Sequence, residues 1–200
     1  MSSGFISEAA GNDSLYFSAV VTNTTIVSGG GEDTVSLSGA ADNLILSAFS
    51  ASRVFAGSGS DTLSFIGTAF GGSIDAGADN DSLYFAAAVS TVSVAGGSGA
   101  DSIWLSSSST ASSIDGGADA DLIYLQSNSS IDSLFGGSGA DSFNVQGDVT
   151  RSTIDGGDDS DTLVFAGTVI TASVFGGSGS DLLSFAGTVN SNSTLAGGEG

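Results

Sequence analysis

The chain has 200 residues, 22 acidic against two basic (Arg53 and Arg151), for a formal net charge of −20. That balance argues against nucleic acid and anionic membrane as partners, since both are bound through positive charge. With no Cys, His or Lys, the chain also lacks disulfides, thiolate and imidazole metal ligands, imidazole bases, Schiff-base chemistry and a Walker-type phosphate loop.

It is nevertheless not an acidic solvating tail: 40% of its residues are hydrophobic and 12 are Phe, enough to build a core. The start, MSSGFISEAAGND, has neither a basic leader nor a long apolar run, so no secretory signal of the usual kind is expected. No stretch of 18 consecutive apolar residues occurs, so membrane insertion is not expected.

In chain order, residues 1–12 read as an N-terminal edge, and Asp13 opens DSLYF. Asp33 follows after twenty residues, and Asp42 then starts a similar DNLIL. Asp33 to Asp42 is a half-step and Asp42 to Asp61 a coil shortened by one residue, so 33–61 is an irregular coil. From there Asp61, Asp81, Asp101, Asp121, Asp141, Asp161 and Asp181 recur every twenty residues without a slip.

Two residues after each stand Leu63, Leu83, Ile103, Ile123, Phe143, Leu163 and Leu183, and four after each another apolar residue, from Phe65 to Phe185. This period-two alternation predicts a strand with one buried face. A second apolar column, Ile74, Val94, Ile114, Leu134, Ile154 and Val174, is preceded by Ser or Thr throughout and predicts a second short strand. Small residues such as Gly67, Ala87 and Gly147 mark the turn between them.

Nothing carries a helical period. The expectation is an all-β, right-handed parallel β-solenoid, one domain over 1–200. It has about nine coils, stacked about 4.8 Å apart into a rod of roughly 40 Å. The sequence stops at LAGGEG, one residue before the next Asp of the series. The expectation drawn from that end is a piece of a longer array, or an open coil completed by another copy.

GGSGADSIWL (96–105), GGSGADSFNV (136–145) and GGSGSDLLSF (176–185) resemble the nonapeptide repeat of the repeats-in-toxin (RTX) family, Gly-Gly-x-Gly-x-Asp-x-apolar-x. The resemblance covers residues from about 8 to 200. It implies a β-roll-like fold in which Gly-rich turns present backbone carbonyls and the Asp carboxylate to Ca²⁺ held between neighbouring coils. The chemistry agrees, because Ca²⁺ takes six to eight oxygen ligands in a flexible cage and Gly permits a curled backbone.

The metal set this implies is Asp13, Asp33, Asp61, Asp81, Asp101, Asp121, Asp141, Asp161 and Asp181. Gly97, Gly99, Gly117, Gly137, Gly139, Gly157, Gly177 and Gly179 aim the carbonyls. A Gly-Asp turn every twenty residues, rather than every nine as is usual in the family, implies one row of Ca²⁺ ions along one edge. Alternate turns carry extra carboxylates, Asp75 and Asp79, Asp115 and Asp119, Asp155 and Asp159, so a coil pair supplies enough negative charge to balance two Ca²⁺.

Asp in Gly-rich turns also has a simpler reading, capping of backbone N–H groups. The outward aromatics Tyr84, Trp104 and Tyr124 read either as a stacked ladder or as a contact patch for a partner or a cell-surface glycan. Phe55, Phe135 and Phe175, at the positions where the other turns have Asp, suit lateral packing or local cover of the turn.

With its carboxylates confined to a repeating turn, the chain is expected not to be an enzyme. The leading expectation is an extracellular structural protein of a surface layer, stalk or filament, partnered by other copies of itself. The alternatives are a calcium-triggered folding or secretion module of a larger secreted protein, and an ice-binding solenoid.

Overall fold

The computed structural model describes residues 4–7, 14–17, 21–27, 34–37, 41–46 and 49–198. Every strand pairing among them is parallel and joins consecutive coils, and the strands form three sheets along the axis. In the coil after Asp121, Leu122–Leu125 lies in the first sheet, Ser129–Ser130 in the second and Ser133–Ser138 in the third. The first and third sheets have ten strands each and the second has seven. The result is the parallel β-solenoid expected from the alternation, with nine coil-to-coil steps across ten strands.

The cross-section differs from the expected two strands per coil. A two-residue strand occupies the turn between the predicted pair, because one of its residues can turn inward and close a third side. Ala69, Val89, Val149 and Val169 do so and are fully buried. They meet the two predicted columns, Leu63 to Leu163 and Ile74 to Val174, which are also buried. Phe65 and Phe85 stack at 4.7 Å between ring centroids, and Phe165 and Phe185 at 5.0 Å. Each such side chain contributes about 1.5–3 kcal/mol through burial, and because the column repeats in register no coil has to find a new packing solution.

Register explains the irregular coil. Leu44 pairs with Leu63 and Thr34 with Arg53, a separation of nineteen, whereas Val21 pairs with Ala41 and Arg53 with Ser73 at twenty. The one-residue shortening is real. The half-step is real as well: the strand after Asp33, Thr34–Leu37, belongs to the third sheet, whereas Ala41–Leu46 belongs to the first, as does Thr62–Phe65. The second sheet begins with Phe49–Ser50, at that same change of step.

The corner between the second and third sheets is strained. Thr91, Ala111, Ile131, Arg151 and Thr171 all have φ between 53° and 62°, a left-handed conformation unfavourable for β-branched residues. Hydrogen bonds to the next coil hold it, such as Ile131 N–H to Thr150 O at 2.9 Å. Ile131→Gly removes a left-handed cost of about 1–2 kcal/mol against about 0.5–1 kcal/mol of backbone entropy. Since Ile131 is exposed, the variant should unfold at a higher urea concentration in calcium buffer; a lower midpoint would refute the strain.

Candidate metal sites along one edge

The six-residue strands of the third sheet end in the Gly turn, and the twenty-residue Asp follows at its exit. Gly97, Gly117, Gly137, Gly157 and Gly177 stack directly over one another with φ between 106° and 116°. A Cβ on any of them would collide with the carbonyl oxygen of the glycine one coil below. Only Gly therefore serves, both for its conformation and for the closeness of the next coil.

The Asp side chains of this series bind the coils together. Asp101 Oδ1 accepts the N–H of Asp81 at 2.7 Å, Asp121 that of Asp101 at 2.7 Å, and Asp141 that of Asp121 at 2.8 Å. The chain of bonds runs from Asp61 to Asp181. Backbone capping by Asp, the simpler reading, is thus correct for one carboxylate oxygen.

The other oxygen has no such role. Oδ2 of Asp81, Asp101, Asp121, Asp141, Asp161 and Asp181 is buried and accepts no hydrogen bond. Those of Asp101, Asp121, Asp141, Asp161 and Asp181 face a glycine cradle, where the coils of Asp61 and Asp81 carry Ala56 and Ala76: a Cβ placed on Gly116 would meet both Asp121 Oδ2 and, at 2.7 Å, the carbonyl oxygen of Gly136 in the next coil. The same pairing of carboxylate and carbonyl is found at Asp101 with Gly116, Asp141 with Gly156 and Asp161 with Gly176. A buried anionic oxygen without a donor is costly, and oxygen donors of this type fit Ca²⁺. Among the described residues no three acidic side chains converge into a ready-made cage, so the remaining ligands would be backbone carbonyls.

Burial, the largest cause, raises the carboxyl pKa of Asp81 and Asp121 to about 7 and of Asp141 and Asp161 to about 6; the accepted N–H opposes the rise and neighbouring aspartates add to it.

The extra carboxylates divide into two kinds. Asp79, Asp119 and Asp159 stand in the turn itself, exposed, with φ of 74° to 77°; Gly99, Gly139 and Gly179 occupy the same place in the alternate coils. Asp75, Asp115 and Asp155 are not in the turn. They lie on the outward face of the third sheet, where Asp115 pairs with Ala95 and Phe135, and Asp155 with Phe135 and Phe175. Period-two alternation explains the correction: Ile114 and Gly116 turn inward, so Asp115 turns out.

Asp13 and Asp33 lie outside the described residues. The strands that follow them in sequence belong to the third sheet, whereas those following Asp61 to Asp181 belong to the first. Among the described residues the Asp series runs in register along one edge from Asp61 to Asp181. Of the outward aromatics, Trp104 and Tyr124 contact at 4.2 Å, as a stacked ladder requires.

Asp132 was not singled out by sequence. It is 1% exposed, away from the Gly edge, and accepts Ser129 Oγ at 2.6 Å, Ser112 N–H at 2.8 Å and Ser130 N–H at 3.2 Å. The available signal was a coincidence of polar residues: Ser109 and Ser129 replace the Ala or Val of their column in the coils around it.

Because the folded carboxyls titrate above the unfolded value of 3.8, the metal-free fold holds protons that the unfolded chain releases. Its stability is therefore fullest below about pH 4 and falls as pH rises to about 7. Thermal melts followed by circular dichroism in metal-free buffer should show a midpoint falling across that range; a rising midpoint would be inconsistent with these shifts.

Residues 124–148 match a family model described as RTX calcium-binding nonapeptide repeat (4 copies). No curated protein matches. A crystal structure of a hyperactive, Ca²⁺-dependent, β-helical antifreeze protein from an Antarctic bacterium matches with a TM-score of 0.68 and 20% identity, covering 100% of this chain and 82% of that one. At that identity the likeness concerns the fold. Together with the register of the turns, these matches show a parallel β-solenoid whose residues 124–148 match RTX-type calcium-binding repeats.

Proposed function

We propose that this chain is a non-enzymatic structural element, a solenoid held closed along one edge by Ca²⁺, working outside the cell in a surface layer, stalk or filament. The observation that carries the reading is the row of buried, unpartnered Oδ2 atoms from Asp81 to Asp181, most of them beside a glycine carbonyl of the next coil. Asp101, Asp121, Asp141 and Asp161, with the carbonyls of Gly116, Gly136, Gly156 and Gly176, would hold the ions. Bound there, Ca²⁺ supplies the positive charge that the sequence lacks.

The residues do the rest. Each of these four Asp keeps one oxygen on the N–H of the coil below and offers the other to the cradle, and Gly96, Gly116, Gly136 and Gly156 keep Cβ atoms out of it. Extracellular calcium is abundant enough for weak carbonyl-rich sites. Stacked carboxylates about 5 Å apart repel by about 1 kcal/mol per pair in water and by more when buried. Calcium and folding should therefore be linked. At pH 7.5 the strand signal in circular dichroism should be largely lost in excess EDTA and restored by millimolar Ca²⁺; full strand content in EDTA would sink the reading. Assembly with other copies would show in calcium as filaments or sheets by electron microscopy.

Ice binding is a second reading, favoured by one observation. Ser73, Ser93, Ser113, Ser133, Thr153 and Ser173 form a hydroxyl column in strict register on the outward face of the third sheet. Thermal hysteresis in calcium-loaded samples decides it, and its absence removes this reading.

A further inference from the structure

The forty-residue alternation makes the spaces between coils unequal. Where a turn of the Asp119 type lies above a turn of the Gly99 type, the upper turn's side chain leans down. Asp79 Oδ2 accepts the N–H of Gly59 in the coil below at 3.0 Å. In the opposite stacking order the same residue presents its main chain instead. A Cβ on Gly99, Gly139 or Gly179 would strike the carbonyl of Asp79, Asp119 or Asp159 beneath it. Asp79 therefore directs a carboxylate downward, and Asp79, Asp119 and Asp159 all direct a carbonyl upward.

Resting on the calcium reading above, we propose that the edge carries two alternating kinds of Ca²⁺ site, one richer in carboxylate wherever an Asp79-type turn lies above a Gly-type turn, one poorer wherever the order is reversed. From Asp101 to Asp181, where the cradle position is glycine, there are two of each: the richer spaces are closed by Asp101 and Asp121 and by Asp141 and Asp161, the poorer by Asp121 and Asp141 and by Asp161 and Asp181.

One richer space brings together the buried, unpartnered Asp101 Oδ2 and the Gly116 carbonyl, with Asp119 above them at the turn position of Asp79. The next joins Asp141 Oδ2 and the Gly156 carbonyl, with Asp159 at that position. In the poorer space above Asp121, the unpartnered Asp121 Oδ2 and the Gly136 carbonyl are joined by the main-chain oxygen of Asp119.

Ligand charge tunes calcium affinity over orders of magnitude. The two kinds should thus fill in sequence, making a pair of coils rather than a single coil the unit that closes first.

The test is calcium titration of the full chain by calorimetry, with circular dichroism at saturation as the folding control. The wild type should show two classes of equal number, separated by about tenfold or more in affinity. The triple variant Asp79→Gly, Asp119→Gly, Asp159→Gly converts each rich turn to the Gly99 type, which the fold already accommodates, and should lose the tight class while keeping the weak one. The matching triple Asn variant removes only the charge and should do the same, and it decides the matter if the Gly variant does not fold. A single class in the wild type, or an unchanged tight class in the variants, overturns the proposal. A wild type that binds no calcium at all fails the parent reading instead.

Discussion

From Asp61 to Asp181 one carboxylate stands between each coil and the next, and the rest of this solenoid is arranged around it. Its first oxygen fastens the backbone of the coil below, as the N–H of Asp101 is fastened by Asp121. Its second is buried and accepts nothing from the protein. With two arginines in 200 residues, the chain cannot answer this charge from its own side chains. Neutralisation has to come from protons or from an external cation, and which one depends on the medium.

The apolar interior and the acidic edge divide the work. Columns such as Leu63 to Leu163 stack without change of register, and burial rewards any number of coils alike. The edge makes that stacking conditional. Each added coil brings both a rung of core and a carboxylate placed near its predecessor, so attraction and repulsion grow together with length. A fold of this kind is therefore tuned by ionic conditions to a degree that its core alone would not suggest.

Much of this was legible in the sequence because the governing contacts lie twenty residues apart and repeat. Ile103 and Leu105 read as inward because Ser102 and Trp104 alternate with them, and the buried and exposed pattern agrees. The one-residue shortening before Asp61 was visible as a slipped interval and returns as the pairing of Leu44 with Leu63. The second sheet was not legible: a strand of two residues has no period, and its middle copies, Ser109–Thr110 and Ser129–Ser130, offer no apolar residue to betray the inward position.

Asp115 was read into the turn because it lies near Asp119 in sequence, although alternation along a strand separates their directions. The change of edge at 33–61 was half-visible. Spacing shows that a half-step occurs, but not which sheet the strands on either side of it join.

Asp132 has a consequence for the chain as a whole. A strict twenty-residue repeat has a weakness: a coil can be skipped and the next one accepted in its place, with every pairing still satisfied. Asp132 resists that error in the middle of the array. Its carboxylate needs Ser129, Ser112 and the backbone at Ser130, and its own N–H is taken by Ser152. The donors Ser129 and Ser130 belong to its own coil, but the acceptor does not: were the next coil skipped, the Asp132 N–H would face Ala172 in place of the Ser152 hydroxyl and stay unpaired in a dry interior. A single non-repeating residue thus gives an otherwise periodic chain an address.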